Sequence, residues 1–348
     1  METKRMEKCI VQKYSRTIWQ RISHLRHRCS LLNQSQTWID TIQLYHWKNI
    51  NYCKVPKCGS TFWMQVFLVL NKLKNVTEIF GEKRSSQHII PMTQISTWNS
   101  LSGSDVIFHV TRNPYSRLYS AYIDKIFLPG FSKLASDINK MNGKSCNKSV
   151  SFEEFLKFIL ADFLYESHWQ PISSMCASCS VPYNVISKQE TFNTDVHFIL
   201  DQLNISNLLK QEFLKNIVKK RTENSVREIT KVMIELAKIA PCLTYLQFSK
   251  RLWKSFQIQG YISDSVSFPV RKFKSLNFDN VEGTVRAYLE GSKKDILQET
   301  KKKVQRQRYL ARAFSTLKSR TIQNIQKAYK NDFDLFGYSY DLPKEHLT

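Results

Sequence analysis

The sequence of 348 residues is 42% hydrophobic, which suffices for one large domain or two small ones. Its 52 Lys and Arg residues outnumber its 29 Asp and Glu residues, and the net charge of +23 attracts polyanions such as nucleic acid, acidic glycans or an anionic membrane without choosing among them. No run of about 18 apolar residues occurs, and charges interrupt residues 1–20, so we expect neither a membrane-spanning helix nor a signal peptide.

The cysteines and glycosylation sequons point to a particular compartment. The chain contains 8 cysteines, and N-x-S/T sequons begin at Asn33, Asn75, Asn147 and Asn204. Both features are typical of proteins in a secretory lumen. We therefore expect a secretory location, although the sequence shows no anchor.

The N-terminal part differs from the rest of the chain. Residues 1–45 are basic and contain scattered apolar positions without a clear period, which predicts a loosely packed arm or stem. We expect a single folded domain over residues 46–345.

A first strand–loop–helix unit opens this domain. Residues 50–53 are apolar and strand-like, residues 54–61 form a loop, and residues 62–70 have a helical pattern. A second unit has the same order, with a strand at 105–110 and a helix through residue 122 that begins near Pro114. Proline suits a first helical turn, because its missing N–H has no partner there.

Further elements extend this alternation. Ser151 and Glu154 form a capping-box pattern before another helix. A strand at 183–186 precedes a helix starting near Thr194 or Asp195. Strands that alternate with helices predict an α/β fold with a mainly parallel sheet flanked by helices. Beyond them, residues 208–335 read as a mostly helical C-terminal part with a broad loop around 260–280.

The first loop has the composition of an anion site. In a parallel sheet, ligands bind at the carboxyl ends of strands, where helix N-termini offer free N–H groups. Gly59 allows close backbone approach, Ser60 and Thr61 add hydroxyl donors, and Lys57 adds a cation on an exposed loop. The Walker A spacing is absent, which excludes an ordinary nucleoside triphosphatase loop. The alternative is an ordinary turn with an exposed lysine.

The second loop contributes Arg112, with Ser120 about two helical turns later. Arginine offers a planar fork that suits phosphate. Alternatively, Arg112 caps a neighbouring strand or pairs with Asp124. Two anion loops on one sheet match a ligand that carries two separate phosphate-type groups.

Four blocks of sequence resemble the Golgi carbohydrate sulfotransferases of the chondroitin and dermatan 4-O-sulfotransferase type (sulfotransferase family 2). YCKVPKCGSTFW at 52–63 resembles that family's 5'-phosphosulfate loop, and VTRNPYSRLYSAYIDK at 110–125 its 3'-phosphate loop. HWQP at 168–171, with the segments that follow through residue 191, is similar to a third block. YKNDFDLFGY at 329–338 is similar to a fourth.

This resemblance implies a P-loop-like sulfotransferase fold and the co-substrate 3'-phosphoadenosine 5'-phosphosulfate (PAPS). It also implies that the chain transfers a sulfuryl group to a hydroxyl of an acidic, chondroitin-like or dermatan-like glycan, as a type II membrane protein in the Golgi lumen. The residues implied for donor binding are Lys57, Cys58, Gly59, Ser60, Thr61, Phe62, Trp63, Arg112, Asn113 and Ser120.

The chain departs from the family pattern in four respects. Asn113 stands where the family has Asp, and Ser60 stands where it has Cys. Both changes keep polar groups, so we expect PAPS binding to persist. Residues 208–320 match poorly, which leaves the acceptor open. The family's membrane anchor is also missing from this sequence.

Two residues are predicted to carry the chemistry. Lys57 would stabilise charge on the leaving oxygen, as in phosphoryl transfer. A sugar hydroxyl needs a base, and His168 in the third block is the candidate because imidazole titrates in the useful range. The alternative is that His168 only fixes its loop through packing of Trp169, and Glu190 is then the reserve base.

Cys176 and Cys179 form a C-x-x-C pair without a second pair at zinc-site spacing. We therefore expect disulfides with cysteines elsewhere, with Cys146 and Cys242 as possible partners. The proposed chemistry requires no metal.

Two other functions compete with this interpretation. A catalytically inactive protein that binds heparin-like glycan or nucleic acid through charge accounts for +23, but leaves Lys57, Arg112 and Ser120 unexplained. A kinase-like phosphotransferase is disfavoured because the Walker motif and evident Mg²⁺ ligands are missing. We expect no specific nucleic-acid partner, and membrane association only through an anchor outside this sequence.

Overall fold

The computed structural model describes residues 15–32, 42–79, 93–95, 105–145, 148–161, 165–218, 220–240 and 242–345. The strands in these ranges are β1 (Ile42–Trp47), β2 (Ile50–Cys53), β3 (Thr93–Ile95), β4 (Val106–Thr111) and β5 (Val185–Lys188). The α-helices are α1 (Ser15–Ser30), α2 (Ser60–Leu70), α3 (Val76–Ile79), α4 (Pro114–Tyr122), α5 (Ser132–Met141), α6 (Phe152–Ala161), α7 (Ile172–Met175), α8 (Phe192–Gln202), α9 (Asn207–Val218), α10 (Arg221–Lys238), α11 (Tyr245–Ile258), α12 (Val270–Lys274), α13 (Val281–Lys294), α14 (Glu299–Ser315), α15 (Ser319–Ala328) and α16 (Lys330–Phe336).

The strands form one five-stranded sheet in the order β3-β1-β2-β4-β5. The predicted parallel arrangement is confirmed for β2, β4 and β5, whereas β1 runs antiparallel to both β2 and β3. A tight turn at Lys48 and Asn49 joins β1 to β2 as a hairpin, and Lys48 has a φ of 50° there. The sheet is therefore mixed, because so short a connection can only reverse the chain.

The centre of the sheet is an aromatic core. All four residues of β2 are buried, and the Tyr52 and Phe108 rings stack across β2 and β4 with centroids 4.8 Å apart. Trp63 and Phe67 of α2 pack on the same group. Burial of side chains this large contributes about 1.5–3 kcal/mol each, so β2, β4 and α2 form the rigid base of the following loops.

The remaining predicted elements agree in type with the structure. Pro114 is the first residue of α4, and Ser151 and Glu154 form the reciprocal cap of α6. β5 begins two residues later than predicted, at Val185, and α8 begins at Phe192. The helical C-terminal part is confirmed, and the expected loop at 260–280 contains the short helix α12.

The N-terminal segment departs from prediction, because residues 15–30 form helix α1 rather than a loosely packed arm. Ile18, Ile22 and Leu25 are buried in the hydrophobic core that also contains the side chains of the sheet. Arg21 donates to the Asp195 carboxylate at 2.7 Å. The spacing of four and three residues between the buried positions is helical, and the surrounding basic residues obscured it.

Two disulfides between described residues join distant parts of the chain. Cys53 is bonded to Cys176, and Cys29 to Cys179. The prediction that Cys146 and Cys242 partner the C-x-x-C pair is therefore wrong, because β2 and α1 bring other cysteines to it. Cys242 is also disulfide-bonded, but its partner lies outside the described residues. Cross-links over sequence separations of 150 and 123 stabilise the fold by up to about 4–5 kcal/mol each in the chain-entropy view.

Asn75 and Asn204 are exposed, as glycosylation sequons require, whereas Asn33 and Asn147 lie outside the described residues. Across the ranges that the structure describes, no helix is long and apolar enough to cross a membrane.

Candidate functional site

The two predicted anion loops meet at one edge of the sheet. β2 and β4 are adjacent and parallel, so the loops that follow them leave the sheet side by side. Arg112 Nη1 donates to the Lys57 carbonyl at 2.9 Å, which joins the loops directly. Ligands of open α/β folds bind at this kind of edge. The candidate site is therefore the cleft around Lys57 and Arg112.

The first loop has a constrained backbone. Lys57 and Gly59 have φ values of 69° and 77°, and Gly59 is the N-cap residue of α2. A Cβ on Gly59 would lie 2.5 Å from the Phe192 ring. Because glycine offers no side-chain acceptor, the first N–H groups of α2 can donate to an anion.

Several residues implied for donor binding serve the loop's structure. The Cys58 thiol is buried, which raises its pKa to about 12. The backbone N–H of Cys58 donates to the Val55 carbonyl. Trp63 is buried in the aromatic core, and Phe62 packs edge-on against Phe192. Ser60 and Thr61 are partly exposed in the first turn of α2. Direct contact of Ser60 and Thr61 with the donor thus remains a prediction.

Lys57 is paired rather than exposed. Its Nζ lies 2.7 Å from Asp124 Oδ2, and the two side chains are only 13% and 14% exposed. Asp124 belongs to a π-helical turn, Ile123–Phe127, that continues directly from α4. Turns of this type are often found at functional sites. Lys125, the next residue, also approaches the carboxylate, at 3.7 Å.

The second loop presents Arg112 and two serines on one face. Arg112 Nε donates to the Ser116 hydroxyl at 2.9 Å, and Ser120 follows one turn later. The alternative pairing of Arg112 with Asp124 is wrong, because Arg112 turns toward Lys57 and Ser116. Asn113 caps α4 by accepting from the N–H groups of residues 115 and 116. An asparagine at this position therefore has a structural use.

The reserve base Glu190 supports the second loop. One of its oxygens accepts from the Asn113 N–H at 2.9 Å, and the other accepts from the Tyr338 hydroxyl at 3.1 Å. The Tyr338 hydroxyl also contacts the Thr111 hydroxyl at 3.0 Å. One carboxylate oxygen thus holds the backbone next to Arg112, and the other is linked through the Tyr338 hydroxyl to the Thr111 side chain.

His168 lies close to Lys57, in a charged cluster that also contains Asp124, Lys125 and Glu166. Its Nδ1–H donates to Glu166 at 2.8 Å, which leaves Nε2 free to accept a proton. Burial lowers the pKa of His168, the Glu166 hydrogen bond opposes this change, and the charges of Lys125 and Lys57 lower it further. Phe131 packs edge-on against the ring. A neutral imidazole beside a lysine is suited to general-base chemistry.

Sequence reasoning missed Arg117, which ties the first loop to the His168 segment. Arg117 is 2% exposed and donates to the backbone carbonyls of Pro56, Ser167 and Gln170. It lies among apolar positions of α4, and a buried arginine requires several acceptors. The available signal was an arginine among apolar residues of a predicted helix.

Asp332 of the fourth block was also missed. Its buried carboxylate accepts from the N–H groups of Ile172 and Ser173, both at 2.8 Å, and so caps α7. The Tyr329 hydroxyl bonds to the Trp169 carbonyl. The terminal block thus holds the segment next to His168, and Trp169 has a structural role in that segment.

The cleft suits an anionic ligand. Burial lowers the pKa of Arg112 and of Arg306 on α14, and the charges of Arg221 and Arg112 lower that of Arg306 further. Cations that destabilise one another in this way are stabilised by a bound anion. Gln189 Oε1 is buried next to Gly59 and has no hydrogen-bond partner among the described residues.

No three His, Cys, Asp or Glu side chains within the described ranges are close enough together to hold a metal ion. Both cysteines of the C-x-x-C pair are in disulfides, which excludes them as zinc ligands in this state.

Comparison with known proteins agrees with this geometry. Carbohydrate sulfotransferase 10 of Xenopus laevis is 29% identical over 224 residues, which is 55% of this chain and 62% of the relative. Carbohydrate sulfotransferase 11 of Mus musculus is 28% identical over 181 residues, 46% of this chain and 51% of the relative. The chain thus spans less than two thirds of the curated relatives it matches. No solved structure matches it.

The profile of the Sulfotransferase family matches residues 43–246, more than half of the chain. This range begins in β1 and includes both anion loops, the His168 segment and Glu190. Since the matched range contains the strands and the cleft described above, the chain belongs to the Sulfotransferase family.

Proposed function

We propose that this protein is a carbohydrate sulfotransferase that uses PAPS as its sulfuryl donor. The observation that carries the proposal is the direct contact between the two anion loops, through the hydrogen bond from Arg112 to the Lys57 carbonyl. One ligand with two separated anionic groups would then contact both loops. Family membership and the names of the matched relatives support the same reaction.

Different residues of the cleft would bind the two ends of the donor. Arg112 and Ser120 would hold the 3'-phosphate, with Ser116 orienting the guanidinium. The N-terminus of α2, with Ser60 and Thr61, would hold the 5' end. PAPS supplies the sulfuryl group that is transferred to the acceptor.

Lys57 and His168 would act on opposite sides of that group. Lys57 would place its charge near the leaving oxygen, where negative charge develops. His168 would accept the proton of the acceptor hydroxyl at Nε2, while Glu166 keeps the ring oriented through Nδ1.

The acceptor is proposed to be an acidic glycan, and the location the Golgi lumen. The net charge of +23 favours a repeated negative polymer, and Lys301 and Lys303 add exposed cations on α14. The two disulfides and the exposed sequons at Asn75 and Asn204 suit an oxidising secretory compartment.

Binding of PAP, the desulfated donor product, tests the proposal against its main alternative. We expect one stoichiometric site in calorimetry, and sulfate incorporation from labelled PAPS into at least one member of a panel of desulfated glycans. A catalytically inactive polyanion binder would bind heparin-like glycan but show no stoichiometric PAP site, and that result would overturn the assignment.

Replacement of Arg112 tests how the donor is divided. We expect Arg112→Ala to weaken PAP by roughly 1.5–3 kcal/mol, the usual contribution of a hydrogen bond to a charged group. The analogue without the 3'-phosphate should lose much less affinity, because it lacks the group that Arg112 holds. Since Arg112 also holds the Lys57 carbonyl, Arg112→Lys serves as a second variant. Equal losses for both ligands would show that Arg112 acts only through the loop.

Added salt should weaken acceptor binding more strongly than donor binding. Exposed charges are screened over about 8 Å at physiological ionic strength, whereas short hydrogen bonds within a cleft are screened less. We therefore expect added NaCl to raise the KM for a chondroitin-like or dermatan-like polymer severalfold more than the KM for PAPS. Faster turnover on a neutral phenol than on any glycan would contradict the proposed acceptor class.

A further inference from the structure

The ion pair between Lys57 and Asp124 places a negative charge inside a site built for anions. The Nζ–Oδ2 distance is 2.7 Å, and both side chains are largely shielded from solvent. At this distance and shielding, the attraction is screened little by salt. A donor that needs the Lys57 ammonium must therefore draw it away from the carboxylate or share it with Asp124.

The surroundings of Asp124 allow such sharing at small cost. A buried carboxylate that loses its only cation is strongly destabilised. Here Lys125 Nζ lies 3.7 Å from the same Oδ2 atom and is itself held over the Phe131 ring, 4.8 Å from its centroid. When Lys57 turns to the donor, Lys125 can still neutralise Asp124.

The π-helical turn makes this arrangement possible. Ile123–Phe127 continues α4 with a wider turn, and it carries Asp124 and Lys125 as consecutive residues. The Asp124 carboxylate reaches Lys57 Nζ at 2.7 Å, and the positive charge of Lys125 acts on His168. The second anion loop and the competing carboxylate thus belong to one continuous segment.

We propose that Asp124 is a positioning residue that competes with the donor for Lys57 and reclaims the lysine when PAP leaves. The proposal rests on the proposed function, because it concerns the same donor site. Its use would be to limit the affinity for the product, because product release is the slow step of many enzymes. A residue that merely supports the loop makes the opposite prediction, since its removal would weaken PAP.

The direction in which PAP affinity changes when Asp124 loses its charge therefore decides between these roles. We expect Asp124→Asn, which removes the charge at nearly constant shape, to tighten PAP in calorimetry by about tenfold, within the range of a charge-assisted hydrogen bond. The PAP affinity of Asp124→Glu should stay within about threefold of that of the parent protein, because the variant keeps the negative charge. In a Lys57→Ala background, the gain from Asp124→Asn should shrink to less than about threefold.

Two controls separate competition from general electrostatics. Glu166→Gln removes a carboxylate of the same cluster that bonds to His168 instead of Lys57, and we expect little gain in PAP affinity. Asp201→Asn removes a more exposed Lys–Asp pair outside the cluster, with an Nζ–Oδ1 distance of 2.8 Å to Lys210, and should leave PAP affinity unchanged.

The outcomes are distinct. Unchanged or weaker PAP binding by Asp124→Asn overturns the inference, as does an equal gain from Glu166→Gln or an undiminished gain in the Lys57→Ala background. If the parent protein itself has no stoichiometric PAP site, the proposed function fails and the inference fails with it. A parent that binds PAP and an Asp124→Asn variant that does not bind it more tightly would leave the proposed function standing.

Discussion

Lys57→Ala is expected to lower turnover by about a hundredfold or more while leaving the protein folded. The physical reason is that one preorganised donor at developing charge commonly contributes this much to the rate. The fold should survive because Asp124 keeps Lys125 as a partner at 3.7 Å. The measurement is sulfuryl transfer from labelled PAPS, together with the thermal unfolding temperature of both proteins.

Lys54→Ala is the matched control for this experiment. Lys54 belongs to the same loop and carries the same charge, but its Nζ lies over the Tyr45 ring at 5.7 Å from the centroid. We expect its turnover to stay within a few-fold of the parent protein. Activity of Lys57→Ala at that same level would remove Lys57 from the mechanism.

His168→Ala is expected to lower turnover by roughly a hundredfold to ten-thousandfold, the contribution of a positioned general base. Affinity for PAP should change little, since His168 serves the acceptor side. The variant should also lose the acid limb of the pH profile of turnover. His27→Ala, an exposed histidine of α1, is the control and should keep both rate and profile.

The direction of the pH effect follows from the environment of His168. A base acts in its neutral form, so turnover should fall as the pH drops through the pKa of His168. Burial places this pKa below the usual value of about 6.5, so the acid limb should lie on the acidic side of that value.

Glu166 provides a second check on the same assignment. Its hydrogen bond raises the pKa of His168, so Glu166→Gln should move the acid limb to still lower pH. If His168→Ala keeps the parent's acid limb, the titrating group lies elsewhere and Glu190 is the next residue to replace.

Local pattern was enough to predict the elements that carry the candidate site. β2 and β4 are short apolar runs, and each is followed by a loop with glycine or proline and then by a helix. Such signals depend on residues a few positions apart, so they can be read without knowing the fold. The adjacency of Lys57 and Arg112 followed from the parallel order of the strands.

Contacts between distant residues could not be read in this way. The disulfide from Cys29 to Cys179 spans 150 residues, and nothing local distinguishes it from the other pairings of eight cysteines. Helix α1 was missed because its apolar stripe is narrow among basic residues, and its burial depends on the sheet and α16, formed far along the chain.

The roles within the cleft divide along the same line. The type and order of the residues proposed to bind the anion are a property of the sequence, because they stand close together in two short loops at strand ends. Their electrostatic state is a property of the tertiary structure. Whether Lys57 is exposed or paired, and whether His168 is neutral, depends on Asp124, Lys125 and Glu166 at distances of a few ångströms. Coulomb interactions and desolvation act through space, so only packing decides which charges meet.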